Sequence, residues 1–200
     1  RGSVKHGYTD LYHMLFLPYR RRAIRLLEIG AGGAGETDVP PSAQVWLDYF
    51  PKASVFGLNL GHGGGAPQNR YTALDCDMEA RESLQKLARD LPDLDIIIDD
   101  GTHASHHQQN AFVELFPKLK PGGLYIIEDM RWQPKEIERE GFTKTAALFR
   151  GFQIGKAFTH ADPTLKAAFE LLAPEISGCF VFQADFRKDK RDQLAVIHKR

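Results

Sequence analysis

The chain contains 200 residues, which fits one domain built around a single hydrophobic core. Its 26 basic and 26 acidic residues cancel, which excludes a bulk electrostatic attraction to nucleic acid or to an anionic membrane surface. No stretch approaches the ~18 apolar residues of a membrane-spanning helix, the N-terminus shows no signal-peptide pattern, and Cys76 and Cys179 fit no metal-binding or redox spacing. We therefore expect a cytoplasmic protein without nucleic-acid or membrane partners.

Helical and strand patterns alternate through residue 127, which predicts a parallel sheet with helices on both faces. Apolar residues at helical spacing predict a helix over 9–19, within an N-terminal helical segment that we assign to residues 1–22. Ser42 is expected to cap the next helix, and Pro121 with the glycine after it is expected to end the helix before the fifth strand. The predicted strands cover 23–29, 54–60, 71–74, 94–98 and 124–127, and the helices between them cover 42–50, 79–90 and 104–120.

The pattern changes after residue 127, where the strict alternation stops. The later elements are predicted helices over 143–152 and 164–172, predicted strands over 176–184 and 193–198, and a polar turn over 187–191 between those strands. These strands complete a mostly parallel, seven-stranded sheet with an antiparallel hairpin at its C-terminal end. We interpret 1–200 as one domain, with a cofactor- and metal-binding core over 23–130 and acceptor-side helices and the hairpin over 131–200.

A glycine-rich loop, LEIGAGGAG, follows the first predicted strand. Gly30, Gly32 and Gly35 match the dinucleotide-binding spacing, but residues 37–41 separate them from the next helix, whose N-terminus would have to bind the pyrophosphate. A carboxylate at Glu28 disfavours a pyrophosphate and suits a cationic ligand such as S-adenosylmethionine (SAM), which carries an ammonium and a sulfonium group. The order of Glu28, Gly30 and Gly32 resembles the first motif of class I SAM-dependent methyltransferases; a tight turn beside a surface glutamate is the alternative.

That resemblance implies cofactor contacts at the ends of the next two strands. Asn59 stands where these enzymes usually have an acid for the ribose hydroxyls; asparagine still donates and accepts hydrogen bonds but lacks the charge. Asp75 fits the position near the adenine amine, with Cys76 beside it. A helix cap is the alternative role for Asp75.

Acidic residues follow the fourth and fifth strands, in DIIIDDGTH and IEDM. If these strands are neighbours, Asp100, Glu128 and Asp129 converge, and like charges at that spacing raise one another's pKa. A divalent cation relieves this repulsion, and oxygen ligands favour a hard ion such as Mg²⁺.

His103 lies where the loop after the fourth strand meets a helix, one loop away from the acids. An unperturbed imidazole pKa of ~6.5 suits a general base at neutral pH, and a helix-capping polar residue is the alternative. His106 and His107 are expected to be solvated residues of the first helical turn and not zinc ligands.

Taken together, LEIGAGG, VWLDYFP, VFGLNL, DIIIDDGTH and LFPKLKPGGLYIIEDM resemble the magnesium-dependent sugar O-methyltransferases of the macrocin and mycinamicin type, over roughly residues 5–130. The chain is also similar to the cephalosporin-hydroxylase-like group, which shares this domain. The resemblance implies a Rossmann-like class I methyltransferase fold, metal ligation by Asp100, Glu128 and Asp129, His103 as base, and Asp99 on the cofactor side.

The resulting hypothesis is SAM-dependent, Mg²⁺-assisted methylation of a sugar or diol hydroxyl on a small-molecule or natural-product acceptor. Homo-oligomers are common in the family that the chain resembles. Trp132 and the aromatic segment 142–158 either line the acceptor pocket or belong to the core, and the core is favoured for most of them. The alternatives are a cephalosporin-hydroxylase-like or NAD(P)-dependent oxidoreductase and a non-catalytic SAM- or metal-binding module.

Overall fold

The computed structural model describes residues 7–32, 39–59, 69–183 and 193–200 of the chain. Within these residues seven strands form one sheet: β1 (Arg25–Ile29), β2 (Ser54–Asn59), β3 (Tyr71–Asp75), β4 (Leu94–Asp99), β5 (Leu119–Ile127), β6 (Ile176–Gln183) and β7 (Gln193–Lys199). Their order is β3-β2-β1-β4-β5-β7-β6. Strands β1 to β5 pair in parallel, and β7 lies antiparallel between β5 and β6.

Helices cover both faces of this sheet. They are α1 (Thr9–Phe16), α2 (Pro41–Tyr49), α3 (Arg81–Asp90), α4 (Ser105–Leu115), α5 (Thr145–Gly155) and α6 (Pro163–Leu172). Tyr12 and Phe16 of α1 and Trp46 of α2 pack in the core on one face, and α3 to α6 contribute to the larger core on the other. The predicted mostly parallel, seven-stranded sheet with a C-terminal antiparallel pair is therefore confirmed.

The central strand β4 explains why the candidate residues meet at one edge. Its residues are all buried because β1 and β5 flank it and helices cover both faces, so its sequence is a continuous apolar run from Ile96 to Ile98. Strand order reverses between β1 and β4, and open α/β sheets bind ligands beside such a reversal, outside the carboxyl ends of the strands.

The predicted boundary at Pro121 is wrong, because this proline and Gly122 lie inside β5. Helix α4 ends at Leu115, a short 3₁₀ turn follows over Phe116–Lys118, and β5 begins at once. Between the pairs Leu94–Leu119 and Ile96–Leu124 the register shifts, so several residues of β5 bulge out of the ladder and need no strand partner.

Ser42 is not the helix cap that the sequence suggested. Helix α2 begins at Pro41, so Ser42 is already helical, and its hydroxyl donates to the carboxylate of Glu28 (Oγ–Oε2 2.8 Å). Gly35 and the predicted turn over 187–191 lie outside the described residues.

The aromatic segment 142–158 belongs mainly to the core, as predicted, with Phe149, Phe152 and Phe158 buried against α6. Among the helices that the structure describes, none combines the length and the apolar character needed to cross a bilayer.

Candidate active site

The strand register brings the predicted cofactor residues to a single edge of the sheet. Asn59 pairs with Asp75 across β2 and β3, and Ile29, the residue before Gly30, pairs with Asp99 across β1 and β4. The ends of four adjacent parallel strands therefore form a continuous row, with the glycine loop at its centre.

Two glycines of that loop have left-handed backbones but different surroundings. Gly30 (φ +83°) packs so closely on the next loop that an added Cβ would lie 2.2 Å from the carbonyl oxygen of Asp100 and 2.6 Å from Cα of Gly101. A Cβ on Gly32 (φ +76°) would meet no described atom within 4 Å. Gly30 thus allows two loops to pass each other, whereas the described residues leave space beside Gly32 of the kind that a bound cofactor needs.

This difference predicts that Gly30→Ala destabilises the fold far more than Gly32→Ala. Both substitutions carry the left-handed backbone cost of about 1–2 kcal/mol, but only alanine at position 30 also forces the Asp100 loop to move. We expect Gly30→Ala to lower the free energy of unfolding by at least about 3 kcal/mol in urea denaturation, and Gly32→Ala by about 1–2 kcal/mol. Equal losses would contradict the close approach at Gly30.

Glu28 is fully buried and is held by two side chains of α2. Trp46 donates its indole N–H to Oε1 (2.9 Å), and the Ser42 hydroxyl donates to Oε2 (2.8 Å). The carboxylate therefore fixes α2 beneath the glycine loop. A contribution of Glu28 to cofactor binding stays a prediction, and these contacts indicate that it shapes the loop.

Asn59, Asp75 and Cys76 take different positions around the glycine loop. The Asn59 amide donates to the carbonyl oxygen of Gly32 (Nδ2–O 2.7 Å), which joins the end of β2 to the loop, and Asp75 is exposed at the end of β3. The Cys76 thiol is buried and lies 3.4 Å from the Ser83 hydroxyl, and burial raises its pKa. Only its backbone faces the row, since its N–H donates to the Asn59 carbonyl oxygen.

The acids and the histidine that the sequence predicted to converge do so in part. Asp100, His103 and Asp129 each offer one ligand atom, and these three atoms lie within 4.8 Å of one another. His103 Nε2 is 3.9 Å from Asp129 Oδ2. His103 (φ +62°) and Asp129 (φ +50°) both have left-handed backbones, which non-glycine residues seldom adopt and which concentrate at functional sites.

Glu128 lies beside this group, but its side chain is buried against α1. The Tyr12 hydroxyl donates to Glu128 Oε1, and the Tyr8 hydroxyl donates to Asp129 Oδ1 (2.8 Å). Burial is the main cause that raises the Tyr12 pKa well above its ordinary value, and the charge of Glu128 is the next. This hydroxyl therefore stays protonated and remains a hydrogen-bond donor. The sequence analysis did not predict that these two tyrosines bind the acids. The sequence shows only that they share a helical face with Phe16, and core packing alone would give the same pattern.

Asp99 is the last residue of β4, and Asp100 begins the loop that follows it. Asp99 is fully buried on the same side as Tyr125, whose pKa is raised by burial and by Asp99. Burial chiefly, with the Asp100 charge, raises the Asp99 pKa to about 7, and the Gly101 N–H opposes this rise. Its Oδ2 accepts no hydrogen bond from any described residue, so a donor from a ligand would satisfy it.

The structure shows where two histidines of α4 and Trp132 lie. His106 and His107 were expected to be solvated, which is wrong: they are only 2% and 8% exposed. Both rings contact Glu79, which the turn before α3 brings to the start of α4. Trp132 is 42% exposed and sets its ring edge-to-face with His103, with centroids 5.3 Å apart, so it lines the site and not the core.

Comparison with known proteins adds an independent observation to this geometry. No family model matches the chain. Among curated proteins, 8-demethyl-8-alpha-L-rhamnosyl tetracenomycin-C 2'-O-methyltransferase of Streptomyces olivaceus is 38% identical over 155 residues, 74% of this chain and 41% of that protein. Mycinamicin VI 2''-O-methyltransferase of Micromonospora griseorubida is 36% identical over 126 residues, 62% of this chain and 32% of that protein.

The chain is a homologue of the macrocin- and mycinamicin-type sugar O-methyltransferases. A solved structure of the mycinamycin-pathway methyltransferase MycE, in complex with Mg, SAH and mycinamycin VI, superposes on this homologue with a TM-score of 0.72 and 26% identity. The match covers 96% of the chain and 49% of MycE, so the chain spans about half of that neighbour and less of the curated relatives. The predicted Rossmann-like class I methyltransferase fold is thereby confirmed.

Proposed function

We propose that this chain transfers the methyl group of SAM to a sugar or diol hydroxyl of a small-molecule acceptor, assisted by a divalent metal ion. The observation that carries the proposal is the convergence of Asp100, His103 and Asp129 beside the glycine-loop edge. The homology to sugar O-methyltransferases favours methyl transfer over the oxidoreductase and non-catalytic alternatives. In the reaction the sulfur–methyl bond breaks, an oxygen–methyl bond forms, and the hydroxyl proton leaves.

His103 is the proposed acceptor of that proton. Its Nε2 faces the acids at 3.9 Å from Asp129 Oδ2, and a neighbouring carboxylate stabilises an imidazolium once the proton arrives. Trp132 covers one side of the ring and fixes its orientation. The same side chain, being 42% exposed, offers an apolar surface to an acceptor molecule.

The donor set at this site fits a hard dication. Asp100 and Asp129 offer carboxylate oxygens on adjacent loops, and Glu128 is the third ligand that the family resemblance implies. Bound Mg²⁺ would supply positive charge that makes an adjacent hydroxyl more acidic. Tyr8 and Tyr12 hold the two acids after β5 by hydrogen bonds, an arrangement that commonly orients metal-binding carboxylates.

SAM is proposed to lie along the row of strand ends. Gly32 leaves space that is free of described atoms, Asn59 and Asp75 at the ends of β2 and β3 are the proposed contacts for its ribose and adenine, and Oδ2 of the buried Asp99 accepts no hydrogen bond from the described residues. Glu28, Gly30 and Cys76 are proposed to support this site by holding the loop and the strand end in place.

Removing metal should abolish methyl transfer reversibly. With SAM and a glycosylated macrolide bearing free sugar hydroxyls, we expect activity to disappear in excess chelator and to return in proportion to added Mg²⁺. Calorimetry should show SAM binding with and without chelator, since the proposed SAM contacts are separate from the acids. Full activity in excess chelator would refute the metal role.

Substituting Tyr12 by phenylalanine should weaken Mg²⁺ binding without unfolding the protein. The ring stays packed against Phe16 and Trp46, and only the hydrogen bond to Glu128 is lost. We expect a loss of about 10- to 100-fold in Mg²⁺ affinity, measured by calorimetry. Tyr19→Phe is the matched control, because the Tyr19 hydroxyl donates to the Gly122 carbonyl oxygen instead of an acid. Equal Mg²⁺ affinity in both variants would refute the role of Tyr12.

A further inference from the structure

A second cluster of metal-ligating side chains lies at the first turn of α4, apart from the proposed magnesium site. Nε2 of His106 and Nε2 of His107 lie 2.9 Å and 2.8 Å from the same oxygen, Oε2 of Glu79. Both histidines are buried, whereas the Glu79 side chain is 53% exposed. The cluster is therefore rigid on the imidazole side and open to solvent on the carboxylate side.

We propose that the Glu79–His106–His107 cluster binds a transition-metal dication of the Zn²⁺ type. Two imidazoles and one carboxylate form a donor set that zinc uses in proteins, with the remaining coordination position left for water. This set differs from the oxygen-rich acids after β4 and β5, which favour Mg²⁺. The two sites thus select different ions by ligand chemistry.

The geometry needs only a small adjustment to accept the ion. A tetrahedral ion with bonds of about 2.0–2.1 Å separates its ligand atoms by about 3.3 Å. The present Nε2–Oε2 separations of 2.8 and 2.9 Å must open by roughly half an ångström, which the exposed glutamate side chain can provide. All three ligand atoms already lie within 4.8 Å of one another.

Outer contacts orient two of the three ligands, His107 and Glu79, as they do around zinc. The Thr102 hydroxyl lies 2.7 Å from Nδ1 of His107, which leaves Nε2 directed at the cluster, and Arg139 binds the other oxygen of Glu79. Hydrogen bonding to His107 is the main cause that lowers the Glu79 pKa to about 2, and burial lowers that of His106. An ionised carboxylate and a neutral imidazole are the forms that bind metal.

The cluster lies close in the chain to His103, the proposed base. Thr102 contacts His107 and directly precedes His103 in the chain, so an ion at the cluster would tie the loop of the proposed base to the turn before α3. Binding itself does not depend on the proposed function, and the test separates the two.

The test titrates Zn²⁺ into the whole purified protein by calorimetry and Co²⁺ by visible absorption, each with excess Mg²⁺ present. Three variants are compared with the unsubstituted chain: Glu79→Gln, Asp129→Asn and Glu114→Gln. Glutamine at 79 keeps a carbonyl acceptor for the histidines, so the fold should persist, and its thermal unfolding is measured alongside. Glu114 is the matched control, because this carboxylate near the other end of α4 binds Arg81 and Gln85 of α3.

We expect one equivalent of Zn²⁺ and a tetrahedral Co²⁺ spectrum in the unsubstituted chain, in Asp129→Asn and in Glu114→Gln. Zn²⁺ affinity should fall at least tenfold in Glu79→Gln. Zn²⁺ affinity that is unchanged in Glu79→Gln, or binding that disappears in Asp129→Asn, would overturn the proposal by placing the ion elsewhere. Absence of binding to the unsubstituted chain at micromolar Zn²⁺ would show that the cluster is a hydrogen-bonded support only.

Discussion

Replacing His103 with asparagine should lower the rate of methyl transfer by about 10²–10⁴-fold, the contribution typical of general acid–base catalysis. Asparagine is the informative substitution, because His103 has φ +62° and asparagine tolerates this left-handed backbone better than alanine. The variant should therefore keep the loop shape while losing the imidazole. Calorimetric titration should find its affinities for SAM and Mg²⁺ unchanged.

Two controls make this result specific to proton transfer. His13→Asn removes an exposed imidazole of α1 that contacts Tyr49 of α2, and this substitution should leave activity unchanged. The pH dependence of kcat/KM should show the ionisation of a general base in the unsubstituted chain, and this ionisation should vanish in His103→Asn. A variant that retained activity within about threefold of the unsubstituted chain would rule out His103 as the base.

Much of the fold followed from local pattern. The apolar run of β4 and the helical spacing of Leu84 and Leu87 in α3 were predicted because one buried strand and one amphipathic helix each leave a periodic trace in the sequence. Parallel order then placed the acids of β4 and β5 at one edge, so the meeting of Asp100 with Asp129 was predictable without any alignment.

The partners that hold those acids were not predictable from local pattern. Tyr8 and Asp129 are separated by 121 residues, and Tyr12 and Glu128 by 116, so no short window contains both members of either hydrogen bond. A tyrosine on an apolar helix face has the same periodicity whether its hydroxyl binds a carboxylate or reaches solvent. The contact exists only because the fold lays α1 across the ends of β4 and β5.

Helix α4 shows a related limit of local pattern, because polar residues in its first half are buried. His106 and His107 in its first turn were expected to be solvated, yet both are buried, as are the polar residues that follow them. Burial is tolerated because distant groups satisfy the side chains: Gln108 donates to the Glu128 carbonyl oxygen, Gln109 to that of Thr143, and the histidines contact Glu79. A polar pattern therefore indicates exposure only where no such partners arrive from elsewhere in the chain.

The acids themselves give the last large expected effect. Asp100→Asn and Asp129→Asn should each weaken Mg²⁺ binding by at least roughly 10- to 100-fold. Losing a group that only hydrogen-bonds a metal ligand has an effect of that size, and each of these substitutions removes the charge of a proposed ligand itself. Asparagine is isosteric and is tolerated at the left-handed backbone of Asp129, and it can still accept the Tyr8 hydrogen bond through its carbonyl oxygen. Methyl transfer at limiting Mg²⁺ should fall in parallel.

Glu128→Gln decides whether the third acid belongs to the site. The structure turns one oxygen of Glu128 towards Tyr12, and glutamine preserves an acceptor for that hydroxyl, so any change in Mg²⁺ affinity reports the lost charge and not a lost helix contact. Asp93→Asn, which alters an exposed acid paired with Lys118 before β4, is the control. If all three acid variants bound Mg²⁺ as tightly as this control, the acids would be excluded as its ligands. If only Glu128→Gln did so, Asp100 and Asp129 would hold the ion without it.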